Sequence, residues 1–146
     1  WFVHADSRVT AATLDALHRF VAADADAIGY FDLRFLGDGP RLIALNMIGA
    51  QLRSRWLGLP FGDQGLLMSR RVFEAIGGFD ERYQGGEDHA MVWSARRLGV
   101  PLQPLRAPIL TSARKYAQRG WWSTTAEHLR LTCAQAWRFS RNESSP

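Results

Sequence analysis

The chain has 146 residues, 47% of them hydrophobic and 22% charged, a balance that fits one globular domain and excludes a disordered chain. Its formal charge is +4, and 17 of its 18 basic residues are arginine, a bias that suits forked contacts with anions and equally a GC-rich coding sequence. The single cysteine, Cys133, excludes an internal disulfide framework and a cysteine-rich zinc site, and no apolar run approaches the roughly 18 residues of a membrane span.

Trp1-Phe2-Val3 reads as an apolar strand already under way, ending at His4-Ala5-Asp6-Ser7. Because the chain opens in mid-pattern, it is expected to be the C-terminal part of a longer protein. Thr10 fits a helix N-cap, and Leu14, Leu17 and Val21 recur behind it at helical spacing, with Phe20 beside them. That helix is expected to end near Asp24 and Asp26. Residues 27–35, AIGYFDLRF, have the aromatic and branched content of a strand, and Gly37-Asp38-Gly39-Pro40 is a turn. Residues 41–55 are a helix by length, with Leu42, Leu45, Ile48 and Leu52 expected inward. Ile43 and Met47 make its other faces apolar too, which predicts that something covers it.

Residues 58–65 form a glycine-rich loop, and 65–69 a short strand. One or two helical turns over 71–76 are stopped by Gly77-Gly78. Residues 79–86 are a loop. A helix over 87–98 aligns Met91, Ala95 and Leu98, with Gly99 as its stop and Pro101 beyond. Two short extended pieces follow near 102–105 and 109–111. From about Gly120 a last amphipathic helix carries Leu129, Cys133, Ala136 and Trp137 on one stripe, and 142–146 is a frayed tail. Residues 1–102 hold 11 basic and 12 acidic residues; residues 103–146 hold 7 basic and 2 acidic, so the positive charge lies in the last third. Strands alternating with helices predict a single α/β domain over 1–146 with a mixed, mostly parallel sheet flanked by helices.

Four constellations can carry chemistry. His4 and Asp6, two apart at a strand end, can face one site and hold a hard divalent cation; the same residues also read as a turn in which His4 bonds locally. Gly85-Gly86-Glu87-Asp88 opens a helix with two carboxylates, which suits a general base and is also routine first-turn chemistry. Gly62-Asp63-Gln64-Gly65 can place a carboxylate and an amide on a pocket wall, or be an ordinary turn. Within 114–122 lie three cations and two tryptophans, preceded by Thr111 and Ser112. That stretch suits a pyrophosphate, a sugar face or a membrane surface, or is a solvated basic face. No nucleic-acid motif accompanies it. His18, His89 and His128 share no metal-ligand spacing and read as structural or exposed.

Taken in order, these pieces resemble the family 2 glycosyltransferases of the GT-A fold. Trp1-Phe2-Val3 with His4-Ala5-Asp6 is similar to the D-x-D segment of that family. Gly62 to Leu66, then Arg70 to Phe79 with its R-x-x-F-x-x-x-G-G-F order, then Glu87-Asp88, is similar to the acceptor side. With Thr111-Ser112-Ala113-Arg114 and Arg119-Gly120-Trp121, the set most resembles the bacterial branch labelled transferase 2, radical-SAM/selenodomain-associated. His4 stands where the wider family often has aspartate.

The resemblance implies a partial GT-A fold, Rossmann-like, without the N-terminal half that binds the nucleotide. It implies inverting transfer of a sugar from a nucleotide-sugar donor to an acceptor hydroxyl. Asp88 would be the catalytic base, and Glu87, Asp63 and Gln64 would orient the acceptor or sugar. Arg114 or Lys115 would steady the leaving group, and Asp6 with His4 would bind a divalent cation, Mn or Mg. Asp6 and Asp88 are then expected to line one cleft. The alternative is a catalytically silent glycosyltransferase-like module that binds a partner or a membrane surface through its basic C-terminal region. A cytoplasmic protein, peripheral at the inner face of the membrane, fits both readings, and nucleic acid is not an expected partner. An uncovered sheet edge at Trp1-Phe2-Val3 predicts marginal stability and self-association.

Overall fold

A computed structural model describes residues 1–80 and 86–142, with side-chain surroundings for all of these except 135 and 138–142. The expected loop over 79–86 and the tail over 142–146 therefore lie mostly outside the described residues. Helix α1 (Ala11–Ala22) starts at Thr10, whose hydroxyl accepts from Thr13 N while Thr13 Oγ1 accepts from Thr10 N, a reciprocal cap. Strand β1 (Ile28–Phe35) follows, then helix α2 (Ile43–Trp56) and a single 3-10 turn over Gly62–Gln64. Helices α3 (Arg70–Ala75) and α4 (Glu87–Arg97) precede strand β2 (Leu102–Thr111). Helices α5 (Arg114–Arg119) and α6 (Trp121–Asn142) close the order.

The architecture is α/β. β1 and β2 pair in parallel, with the helices between them forming the crossover. Antiparallel bridges flank the pair on both edges: Gly29 of β1 with Leu67, and Leu110 of β2 with Arg8. A further bridge joins Phe2 to Leu66. The expected strand over 1–3 is thus reduced to one bridged residue, with Trp1 and Val3 more than a third exposed, and 65–69 likewise contributes bridges rather than a strand.

The two extended pieces expected after α4 form one strand with an irregularity in the middle. Tyr30 faces Pro104 while Asp32 faces Pro108, so β2 carries two residues more than β1 over that interval. Arg106 inside it has φ +51. Two prolines without N–H groups interrupt the ladder there, and Thr13 Oγ1 of α1 donates to the Pro108 carbonyl at 2.6 Å.

Both faces of the parallel pair are covered, as parallel strands require. Ile28 and Tyr30 pack with Leu59, Phe61, Leu66, Val72, Met91 and Val92. Phe31 packs on the other side with Ala16 of α1, Ala107 and Ile109. Two helices present faces other than those expected. In α1 the buried residues are Thr13, Ala16 and Phe20, while Leu14 and Val21 are exposed. In α2 the buried residues are Ala50 and Ser54, and Leu42, Leu45, Ile48 and Leu52 are all turned outward. The expected stripe of α6 is exposed as well at Leu129, Cys133 and Trp137. α5 lies in the basic stretch where no helix was expected; Asp38 anchors its start by accepting from Ser112 Oγ and from Ala113 N. Those bonds, the Ser112 one first, hold the Asp38 carboxyl below its ordinary value. No described helix is long and apolar enough to cross a membrane.

Candidate functional site

Gly86 caps α4 in the left-handed region, φ +81, a conformation a side chain would strain. It delivers Glu87 and Asp88 to the first turn. Asp88 Oδ2 accepts the backbone N–H of Gly62 at 2.5 Å, a charge-assisted bond from the 3-10 turn to the helix. A methyl group added to Gly62 would stand 2.9 Å from Asp88 Oδ2 and 3.0 Å from His4 Nε2. Glycine at 62 is therefore required by close approach: His4 and Asp88 converge on the same small face.

Two spaces open from this point. The outer cleft, about 890 Å³, is bordered by Trp1, Phe2, His4, Phe79, Glu87 and Asp88. Its aromatic wall is braced from behind, with Phe2 and Phe79 ring centroids 4.8 Å apart and Phe73 against both. The inner cavity, about 290 Å³, is bordered by His4, Arg53, Asp63, Asp88, His89 and His128.

The inner cavity is built on Phe61. The Arg53 guanidinium lies 3.6 Å above its ring centroid and His89 stacks at 3.3 Å, separations that put them on opposite faces. Arg53 Nε donates to Leu59 O at 2.9 Å, which fixes the fork. Arg53 Nη2 and Asp63 Oδ1 face each other across 3.9 Å, an ion pair too long to be a hydrogen bond, and neither buried atom has a hydrogen-bond partner. Burial is the larger influence on both groups. It raises the Asp63 carboxyl, which Asp88 raises further while Arg53 pulls the other way, and it lowers Arg53. His89 Nε2 lies 3.8 Å from Asp88 Oδ2. His128 bonds Tyr116 Oη through Nδ1 at 3.1 Å and is held below its ordinary value by burial, with Lys115 adding to the effect.

The residues singled out from the sequence divide accordingly. His4, Asp63 and Asp88 come together around the inner cavity, and Glu87 borders the outer cleft. Gln64, expected against substrate, is fully buried: its amide nitrogen donates to Phe31 O at 3.0 Å and Ser54 Oγ at 3.2 Å, tying the turn to β1 and α2. Lys115 Nζ lies 3.4 Å from His128 Nε2, on the far side of that ring from Tyr116, and Arg114 Nε is folded onto Ser112 Oγ at 3.0 Å. Neither borders a space that Asp88 borders.

Asp6 also departs from expectation. Ser7 N donates to His4 O at 3.0 Å, so His4 to Ser7 is a tight turn and not the extended segment that would aim both side chains one way. Asp6 Oδ1 accepts from Thr111 Oγ1 at the end of β2, at 3.4 Å, while His4 alone turns to Asp88. Among the described residues no group of three or more His, Cys, Asp or Glu side chains is placed to hold a metal ion. His4 and Asp6 do not fit as a joint ligand pair for the expected divalent cation. His89 and His128, read as structural or exposed, border the inner cavity with Arg53. For His89 a signal was available in its place directly after Glu87-Asp88; Arg53 and His128 arrive through tertiary packing alone. Comparison with protein-family models, with curated proteins and with solved structures finds no match.

Proposed function

We propose that this chain is the acceptor side of a nucleotide-sugar-dependent glycosyltransferase, with its parallel pair part of a GT-A-type sheet. The observation that supports this most is the Asp88 carboxylate at the head of α4, pinned by Gly62 N–H beside His4 and opening on an aromatic-walled cleft large enough for a sugar. Asp88 takes the proton of the acceptor hydroxyl. The acceptor oxygen then attacks the anomeric carbon as the bond to the departing nucleoside diphosphate breaks, which inverts the centre. Glu87, on the same turn of α4, orients the sugar across the outer cleft. The Arg53–Asp63 pair sets the field beneath the base.

The test is release of nucleoside diphosphate from a panel of UDP-, GDP- and dTDP-sugars, with and without Mn²⁺, by the full-length protein in wild type and Asp88→Asn. A general base contributes about 10²- to 10⁴-fold, so Asp88→Asn is expected to lower turnover by that factor with donor affinity unchanged. Turnover within a few-fold of wild type removes Asp88 from the role. The silent-module reading rests on a different observation, the exposed Trp122 and Trp137 of α6 among basic residues. Co-sedimentation with anionic vesicles, without turnover of any donor, would favour it.

A further inference from the structure

A third cavity, about 420 Å³, lies between α2, β1 and α6. Its size is that of a small-molecule site, roughly 300–1,000 Å³. We propose that it binds a single-chain amphiphile with an uncharged hydroxyl head, the chain held between α2 and α6 and the hydroxyl at the Arg53–Asp63 end.

The walls are apolar by construction. Leu33 and Phe35 of β1, Leu45 and Ala50 of α2, and Leu129 of α6 supply carbon surface. The polar groups on the same walls satisfy one another: Trp121 Nε1 donates to Asn46 Oδ1 at 2.5 Å, and Asn46 Nδ2 donates to Thr125 Oγ1 at 3.0 Å. What faces the space there is an indole and two spent hydrogen-bonding groups, which favour a hydrocarbon over water.

One end is different. Arg53, Asp63 and His128 border this cavity and the inner cavity alike, so the apolar space adjoins the compartment that holds Asp88. The charges of Arg53 and Asp63 offset each other there. A phosphate or carboxylate head would meet the Asp63 carboxylate, and an ammonium head the guanidinium. A hydroxyl suits the pair, because it can donate to a carboxylate and accept from a guanidinium. That this hydroxyl is the one glycosylated rests on the function proposed above; that the cavity takes such a molecule does not.

Gly49 gives the test. It borders the cavity, and a Cβ placed on it meets nothing within 4 Å. Gly49→Leu therefore adds a side chain at the cavity wall with no clash at its Cβ, and it removes a glycine from a helix interior. Calorimetric titration of the chain with 1-octanol, octanoate and octyl phosphate at pH 7.5 is expected to show saturable binding of the alcohol. The two charged analogues should bind at least about tenfold more weakly, and Gly49→Leu should weaken octanol by about tenfold or more with no fall in the thermal midpoint. Should Gly49→Leu melt early, Leu129→Gln, at an exposed α6 position on the same wall, takes its place with the same expected loss. No octanol binding, equal binding by the variants, or equal affinity for the charged heads overturns the proposal. Octanol binding without sugar transfer to any hydroxyl by the full-length protein overturns the glycosyltransferase reading and leaves this site standing. Transfer to other acceptors without octanol binding overturns this site alone.

Discussion

Gly62 and Asp63 show two opposite ways in which one residue governs the candidate site. Gly62 matters through absence: its missing side chain is the room in which His4 and Asp88 meet. Gly62→Ala places carbon 2.9 Å from Asp88 Oδ2, and Asp88 is held by the backbone N–H of the same residue, so its retreat stretches that bond. Overpacking of this kind costs about 1–3 kcal/mol. The variant is expected to unfold at lower denaturant with an unchanged slope and to lose turnover; unaltered stability and turnover would show that the turn yields freely. Asp63 matters through charge. Burial lifts its carboxyl above the ordinary value of 3.8, and the attraction of Arg53 is the smaller influence. A carboxyl that ionises less readily folded than unfolded lowers stability as pH rises from its unfolded value to its folded one. Asparagine does not titrate. The stability of Asp63→Asn relative to wild type should therefore rise as pH goes up from the ordinary carboxyl value, and level off only above the raised folded value. Denaturant titrations at several pH values measure it, and a relative stability that falls with pH would mean the Arg53 pair outweighs desolvation.

At the scale of elements, the chain's local chemistry announces where helices begin and end better than which way they face. Thr10 caps α1, and Ser69 caps α3 by accepting from Val72 N. Gly99 follows α4, with Val100 N bonded to Ala95 O. These are short-range hydrogen bonds; spacing alone reveals those at Thr10 and Gly99, whereas Ser69 reads as the end of a strand. Thr10→Ala removes the hydroxyl half of the reciprocal cap and leaves the bond from residue 10 N to Thr13 Oγ1; it is expected to cost about 0.5–2 kcal/mol, read as a lower denaturation midpoint, while Thr10→Ser retains most of it. Facing is decided by the partner. α1 approaches β2 where the strand is swollen by two residues, and Thr13, not Leu14, makes the bond to Pro108 O. α2 lies against β1 through Ala50 and Ser54, small enough for Tyr30 Oη to reach the Ser54 carbonyl at 3.2 Å. A count of apolar residues picks the larger side chains and so picks the wrong face. The site divides in the same way. Asp88 was legible because glycines and a helix start mark it. His4 was legible only as one of a pair, since the turn over 4–7 separates it from Asp6. Arg53 and His128 were not legible, because they come from helices whose orientation the sequence does not state.

At the scale of the whole molecule, the outward face of α2 is the feature with the widest consequence. Leu42, Leu45, Ile48 and Leu52 are each between 44% and 54% exposed, and Trp56 is 82% exposed at the helix end. Soluble monomers seldom leave a contiguous apolar patch beyond a few hundred Å² uncovered. The sheet offers less to a partner: both outer edges of the β1–β2 pair already carry a bridge, at Leu67 and at Arg8. If the isolated chain self-associates, association should therefore run through α2 and not through strand addition at Trp1-Phe2-Val3. Apolar surface gains about 25 cal/mol per Å² on burial, so two copies covering these faces have a driving force that strengthens on warming from the cold. Sedimentation velocity over rising protein concentration is expected to show growth of a species larger than the monomer. The double variant Leu52→Lys, Trp56→Lys should shift that growth to at least about tenfold higher concentration, since both positions are exposed and neither borders the inner cavity with Asp88. A charge placed at Val3, beside the bridged Phe2, should leave it unchanged. A wild-type chain that stays monomeric throughout, or association abolished by the Val3 change and not by the α2 pair, would remove α2 as the contact surface.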